Sequence, residues 1–321
     1  MARRKGQPLD GWLILDKPLG QTSTAMVGRA RWLLDARKCG HAGTLDPLAT
    51  GVLPLAFGEA TKTLPFLVDR DKEYRFTIAF GAETDSGDAE GRVIHTSEVR
   101  PGVEAVEGVL PQFRGSILQR PPIFSALKVG GQRAYDLARA GEEVELAPRP
   151  VVIHALAVET ADADSVSLRV VCSKGTYVRS LARDIAAALG SCGHVSQLRR
   201  TRVGPFHESA AISLDTVSEI GDGPVREQGR PVPALLDRIL PLATALDDIP
   251  AVAVAGEAAQ RLRSGQAVRH PSPGGSPGLF GVDGTVSASL WLVVTAEDRP
   301  VALAEHRGEL LVPVRVFNLA S

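Results

Sequence analysis

Residues 40–51 read GHAGTLDPLATG. A single carboxylate, Asp46, stands in a run of glycines, alanines, threonines, one histidine and one proline. A segment so poor in bulky apolar side chains builds neither a core strand nor an amphipathic helix, so a loop is expected. Asp-Pro is a common turn initiator, and that is one use of the dipeptide. The other is a catalytic carboxylate on a tight loop, with Gly40, Gly43 and Gly51 letting another backbone come close. An acid of that kind works as nucleophile or base only if it stays ionised in a partly desolvated pocket, which requires a nearby cation.

Outward from this loop the chain mixes strands and helices. Trp12 to Leu15 reads as a short buried strand, and Thr22 or Ser23 can cap a helix whose apolar positions Met26, Val27, Ala30, Leu33 and Leu34 recur at helical spacing. Glu73 to Phe80 (EYRFTIAF) alternates polar and apolar residues as a strand does, and the acidic turn ETDSGDAEG follows it. Two more strands are expected at Val151 to Val158 and Ser165 to Ser173, a helix from Thr176 to Leu189 stopped by Gly190, and a strand from His194 to Val203. No regular alternation of strand and helix and no repeat appears, which favours an α+β fold over a doubly wound parallel sheet. Residues 215–249 are a Pro-, Gly- and acid-rich connector ending in an apolar helix, ALLDRILPLATAL. Beyond it a helix AGEAAQRLRSG and strands at Ser289 to Thr295 and Leu310 to Phe317 make a small, mainly β tail. The domains are therefore expected at 1–245 and 246–321.

The 321 residues are 44% hydrophobic and 23% charged, an ordinary globular balance. The apolar run at Trp12 to Leu15 is too short for a signal peptide, and no later segment approaches a membrane span, so a cytoplasmic protein is expected. Three cysteines, Cys39, Cys172 and Cys192, lack CxxC spacing, and the seven histidines show no ligand spacing. Neither a metal nor a nucleotide cofactor is expected. Net charge is −1, yet residues 1–64 carry nine Lys/Arg against five Asp/Glu, and 112–202 carry thirteen against eight. Two basic segments in a near-neutral chain can present one positive face to a polyanion.

Four segments could carry chemistry beside Asp46. In CSKGTYVRSLARDIA, Tyr177 and Arg179 lie where a strand passes into a helix, and Arg179 could pair bidentately with a carboxylate. Tyr74 is either a core aromatic or a surface on which a base stacks. Residues 119–144, with a Pro pair, four basic residues and Gly130-Gly131, read as a mobile positive element or as a surface loop and helix. Arg199, Arg200 and Arg202 form a cluster of the kind that meets phosphates, which an edge strand would also tolerate.

Together these segments resemble the TruB family of tRNA pseudouridine synthases. The resemblance rests on GWLILDKPLGQTS, CGHAGTLDPLATGVLPLAFGEATK, EYRFTIAFGAETDSGDAEG, RPPIFSALKVGGQRAYDLARAG, CSKGTYVRSLARDIA and HVSQLRRTRVGPF, in the family's order across most of residues 11–206. GTLDPLATG is the strongest motif, and RLRSGQAV links the tail loosely to a PUA-like domain. Phe124 stands where tyrosine is common. The resemblance implies an α+β pseudouridine-synthase core around a central, mixed and mostly antiparallel sheet. It implies that Asp46 attacks the target uridine at C6 of the base or C1′ of the ribose, paired with Arg179, while Tyr74 stacks on the base. His41 would hold the opened RNA loop. Lys17, Lys62, Arg199, Arg200 and Arg202 would bind phosphates or brace the site, and Asp88, Tyr177 and Leu198 would complete it. The substrate implied is uridine 55 in the T-loop of tRNA, with residues 120–145 closing over the RNA and the tail reaching the acceptor end. No cofactor, no obligate protein partner and a monomeric state are implied. Two readings of other classes stay open at this level: a tRNA-binding folding factor without chemistry, and an aspartate-dependent hydrolase of a small molecule.

Overall fold

The computed structural model describes residues 6–125, 127–129, 132–133, 146–214, 233–270 and 290–319. The expectation of a closing segment at 120–145 falls mostly outside these residues, as does most of the connector at 215–240.

In chain order the elements are β1 (Gly11–Lys17), α1 (Ser23–Leu33), β2 (Cys39–His41), β3 (Ala49–Phe57), α2 (Leu64–Asp69), β4 (Lys72–Phe80), β5 (Ala82–Thr84), β6 (Val93–Thr96), α3 (Val103–Val109) and β7 (Gly115–Gln119). After them come β8 (Lys128–Val129), β9 (Gln132–Arg133), β10 (Arg149–Ala161), β11 (Ser165–Cys172), α4 (Val178–Ala188), β12 (Gly193–Val203) and β13 (Phe206–His207). The tail holds α5 (Pro233–Leu236), β14 (Ala251–Ala253), α6 (Gly256–Arg263), β15 (Val268–Arg269), β16 (Leu290–Val294), β17 (Pro300–Arg307) and β18 (Leu310–Val316). A nine-stranded sheet runs β1-β3-β12-β4-β11-β10-β7, with β2 beside β3 and β13 beside β12. Its described pairings are antiparallel except β12 with β3, where Leu198, Arg199 and Arg200 run parallel to Ala49, Thr50 and Gly51. This is the mixed, mostly antiparallel sheet of an α+β core. A separate five-stranded sheet, β14-β16-β17-β18-β15, forms the small β tail, consistent with a PUA-like domain.

The α1 helix starts as its sequence says: the Thr22 hydroxyl accepts the Ala25 N–H at 3.1 Å, an N-cap bond. Ser23, the other candidate cap, does something else, described below. The stretch ALLDRILPLATAL is not one helix. Pro241 has no N–H to continue it, and just before it Leu240 exchanges two backbone bonds with Trp12 at 2.7 and 2.8 Å. The Gly40–Gly51 stretch is a loop only between its flanking strands, since β2 reaches His41 and β3 begins at Ala49.

Three apolar clusters fix the sheet. On one face α1 packs Met26, Ala30 and Leu33 onto Leu13, Leu15, Leu53 and Phe57, and α4 packs Leu181, Ala182 and Ile185 onto Phe76, Ile78, Leu168 and Val170. Tyr74 and Leu198 border both clusters, so they lie at the seam between them. On the other side of β1 and β3, Trp12, Ile14, Val52 and Ala56 pack with Leu292, Val294, Leu303 and Phe317 of the tail, so the two sheets share a core. Arg70 fastens the same junction, meeting Asp247 at 2.8 Å and also Asp248.

The β3–β12 crossing demands glycine at 51. Its φ is +98°, and a Cβ there would lie 2.2 Å from the Arg200 carbonyl oxygen, in a backbone region that other residues avoid. Gly51→Ala is expected to lower the unfolding free energy by about 2 kcal/mol or more, read from urea denaturation at unchanged m-value. A loss below about 0.5 kcal/mol would contradict this account of the crossing.

Candidate functional site

The loop that carries Asp46 is pinned through its backbone. Ala42 donates to the Pro54 carbonyl at 3.0 Å, and Ala49 closes the other end by donating to the Asp46 carbonyl at 3.0 Å. Ser23 Oγ donates to the Leu45 carbonyl at 3.1 Å and accepts the Leu45 N–H at 2.9 Å, so one hydroxyl satisfies a whole peptide residue. The Lys17 ammonium, fully buried, spends its three protons on Gln21, Pro18 and Pro47 carbonyls at 2.7, 2.9 and 3.3 Å. The Gly20 N–H reaches the Pro47 carbonyl as well, at 2.8 Å. Leu45 and Ala42 plug into the core beneath. What this leaves in the open is the Asp46 side chain, 43% exposed on its pinned backbone.

Two arginines frame it. Arg179 stands in the first turn of α4, is 7% exposed, and places Nη2 2.9 Å from Asp46 Oδ2. The same Nη2 donates to the Phe124 carbonyl at 2.9 Å, and Nη1 donates to the Ser86 carbonyl at 2.7 Å with Asp88 Oδ2 at 3.6 Å. Asp88 is itself locked, accepting from Ser86 Oγ at 2.5 Å and from the Glu90 N–H at 3.1 Å. Arg200, 1% exposed, works from inside: Nε donates to the Val52 carbonyl at 2.8 Å and Nη2 to the Gly43 carbonyl at 3.1 Å. It lies directly across the strand pair from Tyr74, near enough for its charge to act on the phenol. Burial pushes the Tyr74 phenol above its ordinary value, opposed by the nearby Arg200 charge, so the hydroxyl keeps its proton near neutral pH.

Between these groups lies a cavity of about 290 Å³ walled by Asp46, Tyr74, Tyr177, Arg179, Leu198 and Lys72, among others. Burial also lowers two lysines, Lys17 behind the loop, brought down to about 8, and Lys72 in the cavity wall, brought down to about 8, each first by desolvation. Lys72 donates to the carbonyls of Val68 and Arg70 at the end of α2, where a cation is favoured. The floor and walls thus combine one open carboxylate, an aromatic face, an apolar Leu198 and several fixed cations. That arrangement suits a planar polar ring attached to an anionic chain, and it offers one oxygen nucleophile. Among the described residues, no group of three or more His, Cys, Asp or Glu is placed to hold a metal ion.

The structure brings together Asp46, Tyr74, Arg179, Asp88, Tyr177, Leu198, Arg200 and Lys17. His41 lies on β2 behind the loop rather than in the cavity wall, where burial first and the Arg200 charge second push its imidazole down toward the neutral form. Lys62 is elsewhere, held by Glu59 at 2.6 Å and the Val316 carbonyl at 2.8 Å, so it ties the core to the tail. Arg199, Arg200 and Arg202, expected to bind phosphates or brace the site, all make contacts within the protein. Arg199 forks onto both oxygens of Asp16 at 2.9 Å and reaches Glu208 at 2.8 Å, Arg200 is internal, and Arg202 donates to the Gly204 carbonyl at 3.3 Å. Alternation along β12 sends Arg199 and Arg200 to opposite faces, and on each side acceptors were waiting. Lys17 braces the loop from a fully buried position. Ser23 and Lys72 escaped the sequence reading, the first because it sits at a helix start where a capping role is the obvious one.

The family model described as "TruB family pseudouridylate synthase (N terminal domain)" matches residues 31–178, and "tRNA pseudouridylate synthase B C-terminal domain" matches residues 179–247. The chain is 54% identical over 99% of its length to the whole of a Caulobacter sp. (strain K31) protein named tRNA pseudouridine synthase B. It is 50% identical over 99% of its length to 88% of the protein of that name from Bradyrhizobium diazoefficiens. Among solved structures, it is similar to a chain of "Crystal Structure of a Cbf5-Nop10-Gar1 Complex", with 27% identity, a TM-score of 0.69 and coverage of 96% of this chain and 84% of that one. A chain of "Structure of H/ACA RNP bound to a substrate RNA containing 2'-deoxyuridine" matches with 25% identity and a TM-score of 0.69, covering 99% of this chain and 92% of that one.

The two lowered lysines make a pH prediction. Between about 8 and the ordinary 10.5, the unfolded chain binds protons at Lys17 and Lys72 that the folded chain has released. Their contribution to the unfolding free energy therefore rises with pH through that window. Lys17→Met and Lys72→Met are each expected to flatten the rise seen in wild type from pH 8 to 10 by chemical denaturation. Parallel curves for wild type and both variants would contradict the burial of these charges.

Proposed function

The chain belongs to the TruB family of pseudouridylate synthases, and from that premise we propose that Asp46 attacks the target uridine while Arg179 and Tyr74 hold the acid and the base in place. The reaction is the isomerisation of a tRNA uridine to pseudouridine. The N1–C1′ bond breaks, the C5–C1′ bond forms, C5 gives up a proton and N1 gains one, so the product has the atoms and electrons of the substrate. The full-length relatives named as synthases decide against the reading as a folding factor without chemistry, and against the small-molecule hydrolase.

The observation that carries the role of Asp46 is its pairing. It is a carboxylate on a loop pinned at Ala42, Gly43, Leu45, Pro47 and Ala49, aimed by Arg179 at 2.9 Å beside the cavity. Arg179 engages Oδ2, leaving the second carboxylate oxygen for the substrate, at C6 of the base or C1′ of the ribose. A uridine inside folded RNA reaches such a group only by leaving its stack, which takes a few kcal/mol. The face of Tyr74, with Leu198 beside it, returns part of that through base stacking at about 1–3 kcal/mol. The buried Arg200 stands opposite the Tyr74 ring on the neighbouring strand. Asp88 steadies Arg179, and Tyr177 lines the cavity from the start of α4.

The substrate position proposed is uridine 55 of the T-loop, read by loop shape more than by sequence, as is general for RNA. His41 would bear on the opened loop, residues 1–245 would form the catalytic domain, and 246–321, the PUA-like tail, would meet the acceptor end of the tRNA. The enzyme would act as a cytoplasmic monomer.

Asp46→Asn keeps the side-chain shape and removes the nucleophile. Single-turnover assays on an unmodified tRNA transcript are expected to show a loss of at least about 1,000-fold in rate, with tRNA Kd within about threefold of wild type. Residual activity within about tenfold of wild type would show that another group makes the bond.

A further inference from the structure

Gln119 is the last residue of β7, 2% exposed, and far along the chain from either catalytic segment. Its side-chain amide grips one residue of α4 on both sides: Oε1 accepts the Tyr177 N–H at 2.8 Å, and Nε2 donates to the Tyr177 carbonyl at 3.1 Å. Tyr177 is the N-cap of α4 and has no side chain of its own type to cap the helix. Its carbonyl also receives the first helical bond, from Leu181 at 3.1 Å. The amide of Gln119 therefore acts as a one-residue strand laid against the start of the helix, setting both its height and its rotation. One turn on, Ser180 Oγ donates to the Arg120 carbonyl at 2.8 Å. Arg179 lies between these two fixings, and its Nη2 donates to the Phe124 carbonyl and forms the ion pair with Asp46 at 2.9 Å.

We propose that Gln119 is a positioning residue for the isomerisation, holding the first turn of α4 so that Arg179 keeps its bond to Asp46; this rests on the roles given above to Asp46 and Arg179. The chemistry of the amide is what the position uses. A carboxylate could accept from Tyr177 but not donate, and an alkyl side chain could do neither. Arg179 reaches Asp46 at the end of a long side chain, so a small rotation of the helix start displaces the guanidinium. Displacements of about 1 Å in a positioned catalytic group can lower rates on the order of 100-fold. Substrate affinity is spread over other surfaces and does not depend on this bond.

The test is a double-mutant cycle of Gln119→Leu and Arg179→Lys, measured as kcat and KM on unmodified tRNA with melting temperature as a control. Gln119→Leu alone is expected to lower kcat by about ten- to a hundredfold while KM changes less than about threefold. In the Arg179→Lys background, the same change is expected to lower kcat by less than about twofold, because its effect passes through Arg179. If the Gln119 effect is the same in both backgrounds, or falls on KM, the proposal is overturned while the reading of the site stands. If Arg179→Lys itself leaves kcat unchanged, the site reading falls and the proposal with it. Should Gln119→Leu fail to fold, Gln119→Glu, which keeps the acceptor and loses the donor, goes through the same cycle and must lower kcat in the same Arg179-dependent way.

Discussion

A buried guanidinium holds the centre of this molecule together. Arg200 sits on β12 opposite Tyr74, with its Nε on the Val52 carbonyl and its Nη2 on the Gly43 carbonyl, so one side chain ties β3 and the Asp46 loop to β12. Burying such a charge is expensive, and removing it after its partners are committed is worse, because two carbonyls are left without partners. The close crossing of β3 and β12 at Gly51 is what brings Arg200 within reach. The fold positions the loop, and the loop positions Asp46.

From that anchor the site divides into an inner and an outer part. Inside, Arg200, Lys17 and Ser23 hold backbone atoms of the loop and never touch the open carboxylate. Outside, Arg179 comes from a helix on the far bank of the seam and touches the carboxylate directly. The seam exists because two apolar clusters cover neighbouring parts of one sheet face without merging, with Tyr74 and Leu198 as their common border. Under the proposed function, this apolar border with an aromatic face is where the flipped base would stack. The tail shares a core with β1 and β3.

Much of this was legible in the sequence. The alternation in EYRFTIAF gave β4 and put Tyr74 on a strand, the Thr22 cap marked α1, and the poverty of bulky side chains marked the Asp46 loop. The pairing of Asp46 with Arg179 was anticipated from the family resemblance, and the two are 2.9 Å apart. Other features were hidden for physical reasons. β3 is buried on both faces and contains Pro54, so it lacks the two-residue rhythm by which a half-buried strand announces itself. ALLDRILPLATAL looks helical in composition, but one proline and a bridge to Trp12 divide it. The arginines at 199, 200 and 202 look alike in a string, and only strand alternation and the positions of Asp16, Glu208, Val52 and Gly43 separate their duties. Gln119 had no signal at all, because the atoms it binds belong to the backbone of Tyr177.

We propose that Arg200 serves the chemistry by holding the loop, not by holding RNA. The most direct measurement is the single-turnover rate and the tRNA Kd of Arg200→Lys, in protein shown by circular dichroism and thermal melting to be folded. The amine keeps the charge but cannot span the Val52 and Gly43 carbonyls together. The account predicts a rate lower by about 100-fold or more with Kd within about threefold of wild type. A weakened Kd with an unchanged rate on bound tRNA would contradict it.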